Sequence, residues 1–237
     1  MPSFFSKLKG REGHAKHKER YPQVIEAAAK PQHEDAWLRK SVAPNEVQEL
    51  LRGCVAEIKA RGLDIPFLLL PFRPTSDPSA ARTFIRHHFE KNLRGEHLTQ
   101  ELRLTEPMVL CSVLKWCWCR LPGGVVGWEA YELFRVDSNM ARNSFATFIP
   151  ISVDSDARQQ IIFDFFDLLS AIAAHSKVNG LSGRKLSRLA GWWAFEQADN
   201  KSGFEEGYKE WIAAANATSL LIFLLIFGHY RRAKQKD

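Results

Sequence analysis

The sequence has few of the residues that build metal or disulfide sites. Its 237 residues include only four cysteines, and their spacing matches none of the paired patterns that zinc sites use. Cys111, Cys117 and Cys119 lie in one apolar stretch, and Cys54 lies in another. We therefore expect buried, reduced thiols, as in intracellular proteins, and no metal ion or other cofactor.

Motifs of several enzyme classes are also missing. The sequence contains no glycine-rich phosphate loop, no Gly-x-Ser-x-Gly motif and no His-Glu-x-x-His pair. His87 and His88 are adjacent, so on a helix they point to different faces and make poor co-ligands. No secretory signal is recognisable. These absences argue against hydrolase, kinase and metalloenzyme chemistry.

The basic residues are concentrated at the two ends of the chain. The net charge is +6, yet residues 1–20 and 231–237 carry the whole excess, and the remainder is close to neutral. A nucleic-acid-binding protein needs its basic stripe on the folded body, so we expect no nucleic-acid partner. Basic tails suit an anionic membrane or an acidic partner better.

Residues 1–20 are predicted to be a flexible basic arm, for which two interpretations remain. The arm is either an ordinary disordered terminus or a segment that binds anionic membranes. The candidate membrane-binding residues combine aromatic and basic side chains: Phe4, Phe5, Lys7, Lys9 and Arg11.

The apolar run at 212–227 also has two interpretations. It precedes a basic flank, as a tail anchor would, but it is shorter than the roughly 20 residues of a bilayer span and contains Asn216. We favour a buried helix that packs on the core.

Helical periodicity dominates the rest of the sequence. No series of alternating strands occurs, so we predict a single all-α domain at 44–230, after a linker or short helix at 21–43 and before a basic tail at 231–237. Residues 65–72 are apolar and contain Pro66 and Pro71. They are predicted to be extended and buried. Helices are expected from Pro44 to Gly62, from Pro78 toward Gly95, and at 106–121, 128–142, 157–176 and from Ser182.

Three ordered blocks resemble the Rho-family GTPase-activating (RhoGAP) fold. An apolar helix carrying Lys115 ends at Leu-Pro and is followed by Gly-Gly, with Thr105 as its expected cap. Upstream, Pro71-Phe72-Arg73 stands where the family has its arginine loop. Downstream, residues 178–182 and 185–191 resemble the family's "Val-Asn-x-Met-Thr … Asn-Leu" block.

The wording of these blocks is most similar to the fungal family of bud-emergence suppressors and meiotically up-regulated proteins. That resemblance implies a RhoGAP-like helical bundle that binds a Rho-family small GTPase in fungal cell polarity. It also implies a cytoplasmic location, at the cell cortex where growth or division is polarised. The GTPase-binding residues implied are Phe72, Arg73, Lys115, Cys119, Arg120 and Lys185, with Arg73 as the candidate catalytic arginine finger.

Three departures from the family pattern predict little or no GTPase activation. Pro71 and Pro74 flank Phe72-Arg73 where the family has a glycine ahead of the finger. Cys119 replaces a basic residue, with Arg120 shifted by about 100° around the helix, and Lys185 replaces an asparagine. The alternatives are an active Rho GTPase activator that uses Arg73, and a membrane-associated polarity scaffold.

Overall fold

The computed structural model describes residues 41–70, 78–127, 153, 155–195 and 216, all of which belong to one compact unit, Ser41–Asp237. The longer described ranges are helices joined by turns, and no strand occurs in them. The helices are α1 (Pro44–Arg61), α2 (Pro78–Lys91), α3 (Gly95–Leu104), α4 (Pro107–Trp118), α5 (Asp156–Ala174), α6 (Ser176–Asn179) and α7 (Gly183–Ala194).

The core lies where α1 packs against α5 and α4. Apolar residues recur on α1 every three or four positions, and this places them on one face of the helix. That face is buried and consists of Val47, Leu50, Leu51, Cys54, Val55 and Ile58. Helix α2 packs on α4, and α3 packs on α1.

Trp118 joins three of the helices at its position near the end of α4. Its ring meets Phe165 of α5 edge to face, with centroids 4.9 Å apart, and lies 5.3 Å from the ring of Trp193 in α7. All three rings are buried. The C-terminal end of α4 is thus fixed by aromatic packing from two sides.

The predicted all-α fold is confirmed, and so is the burial of the apolar stripes of α1 and α5. Helix α3 was not expected, because Gly95 was interpreted as an end and only Leu98 and Leu102 of α3 are buried. The predicted capping role of Thr105 is wrong. Glu106 occupies the N-cap of α4, and the Thr105 hydroxyl donates to the carbonyl of Glu101 in α3 (2.7 Å).

The prediction of an extended segment after residue 64 is also wrong. Residues 62–69 form consecutive turns, although Leu68 and Leu69 are buried as expected. Phe67 adopts a left-handed backbone with φ of 55°. The helices predicted at 128–142 and 212–227 lie outside the described residues, apart from Asn216, so both stay predictions. Among the described helices, none is both long and apolar enough to cross a bilayer.

Candidate functional site

The candidate site lies where residues 62–70 pass between α4 and the α6–α7 turn. Two lysines from these separate elements reach the segment. We call this surface the lysine face and define it by Phe67, Leu70, Lys115, Gly180 and Lys185. Arg73 follows Leu70 by three positions in the chain.

Lys115 lies in the last turn of α4 and is partly buried. Its Nζ donates a hydrogen bond to the carbonyl oxygen of Leu70 (3.3 Å). Burial lowers the pKa of the Lys115 ammonium below its usual value. The lysine therefore binds the end of the 62–70 segment with a charged donor, close to the start of the arginine loop.

Lys185 lies in the first turn of α7, a helix that the sequence predicted to begin at Ser182. The Ser182 hydroxyl accepts a hydrogen bond from the Lys185 backbone N–H (3.4 Å). The Lys185 Nζ donates to the carbonyl of Gly180 (3.0 Å) and lies 5.7 Å from the centre of the Phe67 ring. The second lysine thus reaches the same segment from α7.

Asn179 joins the segment to α5 and to the turn between α6 and α7. Its side-chain amide donates to the carbonyls of Leu63 (2.9 Å) and Ile172 (2.8 Å), and its Oδ1 accepts from the N–H of Leu181 (2.8 Å). The Asn179 backbone carbonyl also accepts from the N–H of Phe67 (2.8 Å). One buried amide therefore sets the position of the 62–70 segment.

Gly180 is required at its position for two reasons. Its φ of 74° is a left-handed conformation that favours glycine, and it ends the short helix α6. A Cβ at residue 180 would lie 2.8 Å from Cε1 of Phe67. The Phe67 ring therefore rests against a backbone that only glycine allows.

The Leu-Pro-Gly-Gly turn after α4 is held by an arginine that sequence analysis missed. The buried Arg158 guanidinium of α5 donates to the carbonyls of Gly124 (3.1 Å) and Pro122. Beyond the turn, the N–H of Val125 donates to the carbonyl of Trp193 (2.9 Å). An arginine in the first turn of a helix is an ordinary surface residue by sequence, so no signal marked it.

Cys119 and Arg120 lie directly after the last residue of α4. The Cys119 thiol is exposed. The Arg120 guanidinium lies 4.5 Å from the centre of the Trp116 ring and donates to the Trp116 carbonyl (3.3 Å). The Arg120 guanidinium therefore turns back toward α4, and its role in binding a GTPase stays a prediction.

The remaining predicted site residues lie outside the described residues. These are Phe72 and Arg73 of the arginine loop and Phe4, Phe5, Lys7, Lys9 and Arg11 of the basic arm. Their roles stay predictions. Within the described ranges, no group of three His, Cys, Asp or Glu side chains could hold a metal ion.

The lysine face can therefore offer positive charge and an aromatic ring to a partner, next to the arginine loop. The sequence indicated Lys115 and Lys185 but not Phe67, which was placed in a buried stretch. Asn179-Gly180 was a detectable signal, since an Asn-Gly pair between helical segments is typical of a turn. The contacts that Asn179 makes were not predictable, because Leu63 is 116 positions away in the chain.

Known proteins resemble this chain in two ways, in sequence and in fold. The family model described as "Meiotically up-regulated protein Msb1/Mug8 domain" matches residues 41–231. The morphogenesis-related protein MSB1 of Saccharomyces cerevisiae is 31% identical over 212 residues, covering 77% of this chain and 19% of that protein. The meiotically up-regulated gene 8 protein of Schizosaccharomyces pombe is 24% identical over 208 residues, covering 81% of this chain and 29% of that protein. The chain thus spans less than a third of either relative.

Solved structures show the same fold at low identity. The BH domain from GRAF, the GTPase regulator associated with focal adhesion kinase, has a TM-score of 0.55 and 14% identity, and the match covers 80% of this chain and 96% of that one. Human Rho GTPase activating protein 15 has a TM-score of 0.57 and 13% identity, and the match covers 85% of this chain and 96% of that one. The predicted RhoGAP-like helical bundle and the predicted family resemblance are both confirmed.

Proposed function

This chain belongs to the Msb1/Mug8 domain family, and on that premise we propose that it binds a Rho-family small GTPase in fungal polarised growth. In this proposal the domain is regulatory and has little or no hydrolysis activity of its own. Two names support it: one relative is called morphogenesis-related, and one fold neighbour is a Rho GTPase activating protein.

The observation that carries the proposal is the convergence of the two lysines on the 62–70 segment. Lys115 comes from α4 and Lys185 from α7, and both reach the segment that leads to Arg73. Three parts of the chain that are far apart in sequence thus meet at this segment, where the two ammonium groups accompany one carboxylate, Asp64, which is paired with His175 (2.8 Å). The two lysines attract acidic surfaces and speed their association.

The proposed weakness of hydrolysis follows from the residues that fill the supporting positions. An arginine finger accelerates hydrolysis by about 10³ to 10⁵ only when its neighbours hold the partner's phosphate and switch region in place. Cys119 carries no positive charge at neutral pH. Lys185 can only donate hydrogen bonds, whereas the asparagine it replaces both donates and accepts. We propose an interface that recognises the GTPase without completing its catalytic site.

The proposed location is the cytoplasmic side of the cell cortex, at sites of polarised growth or division. The basic arm at 1–20 would add attraction to anionic lipids, worth on the order of 1 kcal/mol for each basic residue close to the surface. This contribution is separate from the lysine face, because deletion of the arm leaves the domain at 41–231 complete.

Binding to a panel of Rho-type GTPases, each loaded with GDP or with a GTP analogue, tests the proposal. At least one member should bind, and Lys185→Glu should weaken that binding by about tenfold because it reverses an exposed charge. Arg103→Glu is the matched control, since Arg103 is exposed on α3, which packs on α1. Uniform absence of binding, or equal loss with Arg103→Glu, would contradict the proposal.

A further inference from the structure

The most unusual residue of the described chain is Phe67. Its φ of 55° is a conformation that bulky side chains rarely adopt, and glycine or asparagine would fill it with less strain. Despite that strain, 40% of Phe67 is exposed, so its ring is not explained by core packing alone. Backbone strain around an exposed aromatic side chain is a feature of binding sites.

Four contacts hold the strained conformation, one of which is the hydrogen bond from the N–H of Leu70 to the Phe67 carbonyl (3.1 Å). The Phe67 N–H donates to the carbonyl of Asn179 (2.8 Å), its ring lies against Gly180, and the Lys185 ammonium lies 5.7 Å from the ring centre. The exposed part of the ring is therefore presented in one fixed orientation. A fixed aromatic side chain loses little conformational entropy when a partner covers it.

The stretch at 176–188, which contacts Phe67, is basic and partly apolar, and the nearby Asp64 carboxylate is paired with His175 (2.8 Å). Residues 176–188 contain four Lys or Arg and no Asp or Glu. Lys177 precedes Val178 in α6, and Val178 is 62% exposed. Arg184, Lys185 and Arg188 are exposed, and their spacing of three and four positions places them along one side of α7. Apolar side chains with cations around them match a partner that is apolar in the middle and acidic at its edge.

We infer that Phe67 and Val178 form a docking surface for an acidic protein segment that contributes an apolar side chain. The inference rests on the proposed function and deepens it, because the segment is assigned to the GTPase itself. Phe67 would then be a specificity-determining contact that reads the partner's shape, while the cations of residues 176–188 read its charge.

A protein segment suits this surface better than a lipid bilayer. More than half of the Phe67 side chain is covered by its own domain, so the ring cannot reach into a membrane as a protruding aromatic would. A side chain held in one orientation by a strained backbone gives no advantage in binding a fluid lipid surface. It does favour binding to a folded partner, whose surface has a fixed shape that the ring can fit.

The test uses Phe67→Gly and Phe67→Asn, because both residues tolerate the left-handed backbone. Relief of the strained backbone partly offsets the loss of a half-buried ring, so their melting temperatures should stay close to that of the wild type, while affinity for the GTPase found in the panel should fall at least tenfold. Phe67→Tyr keeps the ring and should bind within twofold of the wild type. Leu104→Ala is the control for loss of an exposed apolar side chain elsewhere, since Leu104 is 77% exposed on α3, and it should bind like the wild type.

The outcomes separate this inference from the proposed function. If a GTPase binds and Phe67→Gly binds equally well, the docking surface is wrong and the proposed function stands. If no GTPase binds, both are wrong. If Phe67→Gly instead abolishes binding to vesicles that contain phosphatidylserine and leaves GTPase binding unchanged, the occupant is a membrane and the inference is overturned.

Discussion

The helical core and the lysine face are built by different kinds of contact. In the core, α1, α4 and α5 meet through apolar side chains that recur at helical spacing. On the lysine face, two ammonium groups and one glycine contact a segment of turns. Loss of one core side chain should therefore cost stability, whereas loss of one contact on the face should mainly change the position of the segment next to Arg73.

The largest expected effect is in the core, at Trp118. Trp118→Ala should lower the free energy of unfolding by about 3 to 5 kcal/mol, because it empties the space between Phe165 and Trp193. Urea unfolding followed by circular dichroism measures this. Leu104→Ala on exposed α3 should change stability by less than about 0.5 kcal/mol. A similar small change for Trp118→Ala would contradict the packing described above.

A smaller loss is expected at Asn179, where the core and the lysine face meet. Asn179→Ala leaves the carbonyls of Leu63 and Ile172 and the N–H of Leu181 without their partner. We expect a loss of about 2 to 3 kcal/mol in urea unfolding, because buried polar groups without hydrogen bonds are costly. The control is Gln100→Ala at an exposed position of α3.

The same variant sharpens the comparison between the two regions. Since Asn179 also sets the path of residues 62–70, Asn179→Ala should increase proteolytic cleavage near residue 70 under native conditions. Trp118→Ala, although it is expected to lose more stability, should not favour cleavage at that place over the rest of the chain. Equal cleavage near residue 70 in both variants would show that the 62–70 segment opens only when the whole domain unfolds.

The smallest stability effect is a pH dependence caused by His88, which is buried on α2. Burial and the charge of Arg94 lower the pKa of His88 to about 4, against an opposing effect of Glu49. Because the unfolded chain has the higher pKa, it takes up the proton first as the pH falls. The contribution of neutral His88 to the free energy of unfolding is therefore complete above about pH 7, and it is lost as the pH falls from about 6.5 to about 4.

Unfolding free energies of the wild type and His88→Leu measure this effect. Between about pH 8 and about pH 5, the wild type should lose about 2 kcal/mol more than the variant. The difference between the two proteins isolates His88 from the other groups that titrate in this range. Parallel pH profiles would contradict a buried, neutral His88.

The sequence was sufficient to predict the parts of the molecule that depend on local periodicity. The buried stripes of α1 and α5 followed from residue spacing, and the start of α7 near Ser182 was predicted from the sequence as well. Helix α3 and the turns at 62–69 did not, because the first buries only two residues and the second is shaped by contacts with α4 and α6. Arg158 and Asn179 bind carbonyls far away in the chain, and such pairs leave no pattern in a single sequence.

The candidate site was predictable only as far as the resemblance extended. Lys115 and Lys185 were identified from their place in the family's blocks, and the structure brings both to the 62–70 segment. Phe67 was missed because prolines on either side indicated an extended chain, whereas Asn179 and Gly180 impose a left-handed turn. The roles of Arg73 and of the basic arm stay predictions.

Single-turnover hydrolysis of GTP by the GTPase that the domain binds tests the central claim most directly, namely that the domain recognises its partner without completing its catalytic site. At saturating domain, we expect an acceleration of less than about tenfold, unchanged by Arg73→Ala and by the control Arg103→Ala. An acceleration of about 10³ or more that Arg73→Ala abolishes would contradict the account and identify an active GTPase activator.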